Sequence, residues 1–204
     1  MPEPAPKVRY HHGDLRTALI DAAEAILIEK GVEGLSLREA ARRAGVSPGA
    51  PSHHFGDARG LLTTIAVRGF AGLDAALGAA DEATLRCRPA ERLKAQGRAY
   101  VAFARSQPAW FDLMWRCDLI DMERADFQVA ANAAFMKLQV AVLGTESVLV
   151  DPHPAAEGGK SMHPRVLAAW ALVHGYATLA RQGSFDPDQP GLLEGVLESL
   201  PAVG

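Results

Sequence analysis

The chain has 204 residues, of which 49% are hydrophobic, 6% aromatic and 22% charged, with a formal net charge of −3. That supply of apolar residues can fill the core of one large domain or two small ones, and the alanine-rich, aromatic-poor composition favours helix with almost no strand. No stretch reaches eighteen uncharged apolar residues, the opening MPEPAPKVRYHHGD lacks the apolar centre of an export signal, and Cys87 and Cys117 have no CxxC spacing, so a membrane span, a disulfide framework and a zinc site are all disfavoured and the expected location is the cytoplasm.

Residues 1–12 read as a disordered basic arm holding Lys7, Arg9, Tyr10, His11 and His12. A first helix is expected from Asp14 to Lys30, with Leu19, Ala22, Ala23, Ile26 and Leu27 at helical spacing and Gly31 as its stop. Ser36 and Glu39 form an S-x-x-E capping box, which starts a second helix at Leu37, and Gly45 suits the left-handed position that ends it. Ser47 is then placed to cap a third helix with Pro48 at its first position, where no N–H is needed. Pro51 conflicts with that register, because at the fourth helical position it removes the first regular backbone hydrogen bond. Asp57 caps a fourth helix that runs to about Ala80 through Leu61, Leu62, Ile65, Ala66, Phe70 and Leu73.

Two short helices joined by a tight glycine turn and braced by a longer one make a helix-turn-helix over residues 36–55, whose use is to hold one short helix clear of the surface so that it fits a DNA major groove. Gly49, Ala50, Ser52, His53 and His54 offer little that wants burial, whereas Val46 and Phe55 bracket them as anchors. The overall negative charge permits this reading because residues 1–70 carry nine Lys or Arg against eight acids and four of the seven histidines. A solvated histidine pair and arginines placed against a helix dipole are the bland alternatives for single residues. The order of the signals carries the case. Residues 13–73 resemble the TetR-type DNA-binding domain in Ala44-Gly45-Val46-Ser47, the small-residue helix after Pro48, His54-Phe55 and the opening Leu61-Leu62. The resemblance implies DNA contacts from Ser36, Arg38, Ser47, Pro48, Gly49, Ala50, Ser52, His53 and His54. Family members usually carry an aromatic residue where Ser52 stands, and a lysine and a glutamate are frequent where Ala58 and Gly60 stand; Arg59 is the substitute phosphate contact.

Behind this unit the signals stay helical: Pro89 to Arg105, a shorter piece opened by Pro108, Met122 to Gly144, Pro164 to Gln182 and Pro190 to Leu200, with a loop in DPHPAAEGG at 151–159. Residues 80–204 are expected to form an antiparallel helical bundle, for which the resemblance implies ligand binding and dimerisation. Leu192, Leu193, Val196, Leu197 and Leu200 make one apolar stripe suited to a two-fold interface, with packing inside the chain as the alternative. Trp170, His174 and Gly175 resemble the WHG-type C-terminal domain, and either core packing or a ligand role suits them. Phe103, Trp110, Phe111, Met114 and Trp115 join Trp170 and His174 as candidate pocket residues for a largely apolar or aromatic ligand. Core packing is at least as good a reading of that run.

No phosphate loop, nucleophile elbow, HExxH or rigid carboxylate pair occurs, so no enzyme, metal or cofactor is expected. The expectation is an all-α, homodimeric transcriptional regulator of the repressor type that reads a partly palindromic operator, with Lys7 and Arg9 adding phosphate or minor-groove contacts. The alternative is a helical dimeric interaction module without specific DNA binding.

Overall fold

The computed structural model describes residues 12–144, 162–201 and 203; the arm containing Lys7 and Arg9 and the loop at 151–159 lie outside them. The described residues contain helices and turns and no strand. The helices are α1 (His12–Lys30), α2 (Leu37–Arg43), α3 (Ala50–Phe55), α4 (Ala58–Ala83), α5 (Pro89–Ser106), α6 (Pro108–Met114), α7 (Ala125–Leu143), α8 (Pro164–Arg181) and α9 (Leu192–Leu197). A 3₁₀ turn, Val32–Gly34, joins α1 to α2.

The long helix α4 is the spine. It is apolar enough, by length and composition alone, to cross a membrane. Its apolar side chains are instead taken up by packing, since Leu61, Ile65 and Ala66 are fully buried and it contacts α1, α3, α5, α6 and α7. Asp57 caps it as expected, its carboxylate accepting the Gly60 N–H at 2.8 Å. Glycines let α6 lie against it: a Cβ on Gly69 would sit 2.9 Å from the Met114 thioether, and one on Gly72 would sit 3.2 Å from both Phe103 and Trp110. One continuous core runs from α1 through α4 to α8 and α9, and a smaller cluster of Leu93, Ala141, Val142, Val166 and Ala169 closes the far end.

Helix ends follow their caps, with instructive departures. At the end of α2, Gly45 has φ +67° and a complete Schellman pair forms, Val46 N–H donating to Ala41 O at 3.0 Å and Gly45 N–H to Arg42 O at 3.3 Å. The capping box is only half made. Ser36 Oγ accepts the Glu39 N–H at 3.1 Å, but the Glu39 carboxylate turns to the guanidinium groups of Arg42 and Arg43, which bind it more strongly than a backbone amide does. Ser47 does not cap α3; Ser47 O accepts the Ala50 N–H in a turn, and the helix begins two residues later than expected. This delay resolves the conflict over Pro51, which falls in the first helical turn where its missing N–H costs nothing.

The segment before α7 also departs from expectation, because Met122–Arg124 form turns and the helix starts at Ala125. Asp121 Oδ1 accepts the Glu123 N–H, Asp118 pairs with Arg116, and Asp126 pairs with Arg124, so these acids serve local structure. The final helix is six residues long, entered through the left-handed Gly191. Its regular pattern tightens at Ser199 and Leu200 into bonds to residues three back, ahead of Pro201.

Candidate nucleic-acid interface and interior cavity

Because α3 is so short, its orientation must be imposed by anchors. Pro51 is buried, and Phe55 packs on the core with the Arg16 guanidinium 5.3 Å above its ring. Between and ahead of them Ser47, Pro48, Gly49, Ser52 and His53 are exposed, whereas Ala50 and His54 are half-buried. The outward face therefore consists of a turn and the hydroxyl and imidazole of Ser52 and His53. Ser36 is exposed with its oxygen committed to the cap, and Arg38 is exposed and makes no ion pair among the described residues. Arg42 and Arg43 are occupied by Glu39 and Glu29, and these guanidiniums hold the Glu39 carboxyl at about 2.

Arg59, expected to face phosphate, donates to Ile120 O at 2.8 Å. It belongs to a clasp with no signature in the sequence. Arg124 donates to Gly60 O at 2.9 Å and to Thr64 Oγ1 at 3.1 Å, and the Asp121 N–H donates to Thr63 Oγ1 at 2.9 Å. The first two turns of α4, which follow directly on α3, are thus tied to the segment between α6 and α7. At the same corner a Cβ on Gly60 would lie 2.0 Å from Phe55 O, so the turn from α3 to α4 closes only around glycine.

Between α4, α5, α7 and α8 lies a cavity of about 580 Å³. This is within the range of small-molecule sites. Met114, Trp115 and Trp170 line it, joined by Phe70, Gln96, Tyr100 and Phe127. Phe103, Trp110, Phe111 and His174 do not, contrary to expectation. Phe103 and Trp110 plug the seam at Gly72, and Trp110 reaches the half-buried Glu24, whose carboxyl is pushed up by burial and drawn back by Arg68. Of the added residues, Gln96 and Tyr100 follow from helical spacing in α5, where they share the buried face with Leu93 and Gly97.

The wall facing the front unit is aromatic. Tyr100 Oη and His174 Nδ1 are 2.8 Å apart, and the Trp115 ring lies 5.3 Å from Trp170 and 5.1 Å from His174. Burial lowers the His174 pKa and raises that of Tyr100, so both are neutral near pH 7. Behind this wall is a second hollow of about 470 Å³, bounded by Leu27, Gly31, Val32 and Glu33 of the front unit and by Phe111, Trp115 and His174. Among the described residues Trp115 alone borders both hollows.

The carboxyl-terminal stripe divides. Leu197 is fully buried in its own chain, where a Cβ on Gly97 would meet it at 2.6 Å, and Leu193 and Leu200 pack on the same core. Of the stripe, Leu197 is fully committed to its own chain, and Leu193 and Leu200 are half-buried against it. Leu192 and Val196 are half-buried, and exposed large apolar side chains stand on α8 at Leu167 and Leu179, with Ala168 and Ala171 on the same face, on α7 at Val129 and Met136, and singly at Ile28 and Leu85.

The chain matches the Tetracyclin repressor-like C-terminal domain over residues 93–200 and the tetR family of bacterial regulatory proteins over residues 19–65. No curated protein matches it. A solved structure described as a protein with unknown function from Rhodococcus sp. RHA1 is 35% identical, covers 94% of each chain and superposes with a TM-score of 0.72. PfmR, a TetR family transcriptional regulator from Thermus thermophilus, shares the fold at 21% identity and a TM-score of 0.60, covering 90% of this chain and 99% of its own. EbrR, a multidrug binding protein solved with imidazole, does so at 17% identity and 0.59, covering 93% and 96%.

Proposed function

Since the chain belongs to the TetR family and is a DNA-binding transcriptional regulator, we propose that it works as a homodimeric, ligand-responsive repressor in the cytoplasm. Two α3 helices enter successive major grooves of a partly palindromic operator, about 34–36 Å apart. The observation that carries this reading is the outward turn and helix of residues 47–53, held by buried Pro51 and by Phe55. Ser52 and His53 donate to phosphate or base edges, and Arg38 supplies a free cation. The outer face of α8, with Leu192 and Val196, forms the two-fold interface.

The cavity is the effector site. A ligand there touches Trp115 and Met122, which belong to the same segment that holds α4 through Ile120, Asp121 and Arg124. It relieves repression only by binding more tightly to the arrangement in which the reading helices no longer fit the operator.

The test is binding of the purified dimer to its own upstream DNA. If each protomer engages two phosphates, affinity falls about a hundredfold between 50 and 200 mM salt, since each contact contributes a slope of roughly −0.9. His53→Ala weakens binding by about 1 kcal/mol, roughly fivefold to tenfold, and leaves dimerisation intact. Binding that ignores both salt and this substitution favours the interaction-module reading.

A further inference from the structure

Among the described residues, the cavity wall carries no Asp, Glu, Lys, Arg or His; its polar members are neutral, among them Gln96 and Trp115. Taking an ionised group into such a space strips its hydration and returns no counter-charge. Edge-to-face contacts of Phe70 with Trp115 and Phe127, each at 5.3 Å, make much of the wall aromatic, which favours a ring.

Two polar atoms at this wall stand apart. Gln96 is 2% exposed, and its Nε2 donates to Asp81 Oδ1 at 3.0 Å and to Lys137 O at 3.3 Å. Both of those partners are acceptors, so the amide orientation is fixed. That leaves Gln96 Oε1 buried without a partner among the described residues, and the indole N–H of Trp115 is buried without one as well. Buried polar atoms of native proteins find partners, so an unpaired acceptor and an unpaired donor on two residues that line one cavity define a recognition pattern, which a ligand completes as these side chains turn toward it. Resting on the reading of this cavity as the effector site, we propose that the effector is an uncharged ring compound carrying a hydrogen-bond donor for Gln96 and an acceptor for Trp115, as a lactam, a secondary amide or a phenol does.

Equilibrium dialysis of the full chain against four probes of one shape tests this. The probes are 2-quinolone (a neutral lactam), naphthalene (no polar group), 1-naphthoate (anionic) and N-methylquinolinium (cationic). The lactam is expected to bind at least tenfold more tightly than naphthalene, and both ions more weakly than naphthalene. Gln96→Leu and Trp115→Phe each narrow the preference for the lactam over naphthalene, compared within the same variant, to less than threefold. Because Gln96 also braces Asp81 and the Lys137 carbonyl, Trp115→Phe, which keeps a ring in place, carries the test should Gln96→Leu fail to fold. If naphthalene matches the lactam and Ala131→Trp abolishes both, the cavity stands as a site and the donor–acceptor assignment falls. An ion that binds tightest overturns the claim of neutrality. No binding by any probe overturns the effector site itself, and the proposal with it.

Discussion

His174 shows how a residue can be legible by type and misread by place. The W-x-x-x-H spacing puts it beside Trp170, and the structure keeps that pair together with rings 5.7 Å apart. It sits behind the cavity wall rather than in it, because its Nδ1 is bonded to Tyr100 across 74 residues of sequence. No local pattern announces such a contact. Burial holds its pKa below the ordinary 6.5, so the folded chain stays unprotonated where the unfolded chain takes up a proton. The stability this contributes is complete above about pH 6.5 and drains as pH falls below it. Thermal unfolding across about pH 5–7.5 should show the parent chain losing more stability on acidification than His174→Gln. Parallel losses in the two chains would rule this out.

Helix existence is legible throughout, and helix ends are legible wherever one cap dominates, as at Asp57 and Gly45. Ends are misjudged where two signals compete. Ser47 and Pro48 resemble a helix start as much as Gly49 and Ala50 do, and only the need to place Pro51 in the first turn chooses between them. The six-residue α9 is overestimated because an apolar stripe continues through Leu200 after the backbone has tightened toward Pro201. Contacts between helices leave a fainter trace, in glycines at helix crossings. At Gly69 a methyl can be accommodated by the flexible Met114 side chain, and alanine's gain of about 1 kcal/mol in helix propensity offsets the squeeze. A leucine cannot fit between Met114 and the Trp110 Cβ. Gly69→Leu should lower stability by about 1–3 kcal/mol, read as a reduced urea midpoint with an unchanged slope, and Gly69→Ala should lie within about 1 kcal/mol of the parent. A leucine variant as stable as the parent would show that α6 does not approach α4 this closely.

For the molecule as a whole, the sequence indicates two functional units and a long helix after Asp57 able to join them, but not the contacts that fix one against the other. The joint depends on Arg59 and Arg124, whose partners lie about sixty residues away in sequence and are mostly backbone carbonyls and threonine hydroxyls, which have no charge pattern to read. Arg124→Ala removes the bonds to Gly60 and Thr64 while the Asp121–Thr63 bond remains. We expect DNA affinity without effector to change by less than about threefold, and the loss of affinity caused by a saturating effector to shrink by about 1 kcal/mol or more, within the range by which mutations modulate coupling between sites. Binding titrations with and without effector measure both. An unaltered effector response would mean that the signal bypasses the clasp.

The glycine at position 60 gives this arrangement a further consequence. With Phe55 O only 2.0 Å from where a side chain would begin, the end of α3 lies directly against the backbone of the first turn of α4, so the direction of the reading helix follows that of its support. Its aim is inherited. In the proposed dimer, the span between the two probing ends is then fixed by residues 116–124 and by the α8 contact, both remote from the bases. Relatives could adapt to operators of different half-site spacing by changes there, with the groove-facing residues untouched.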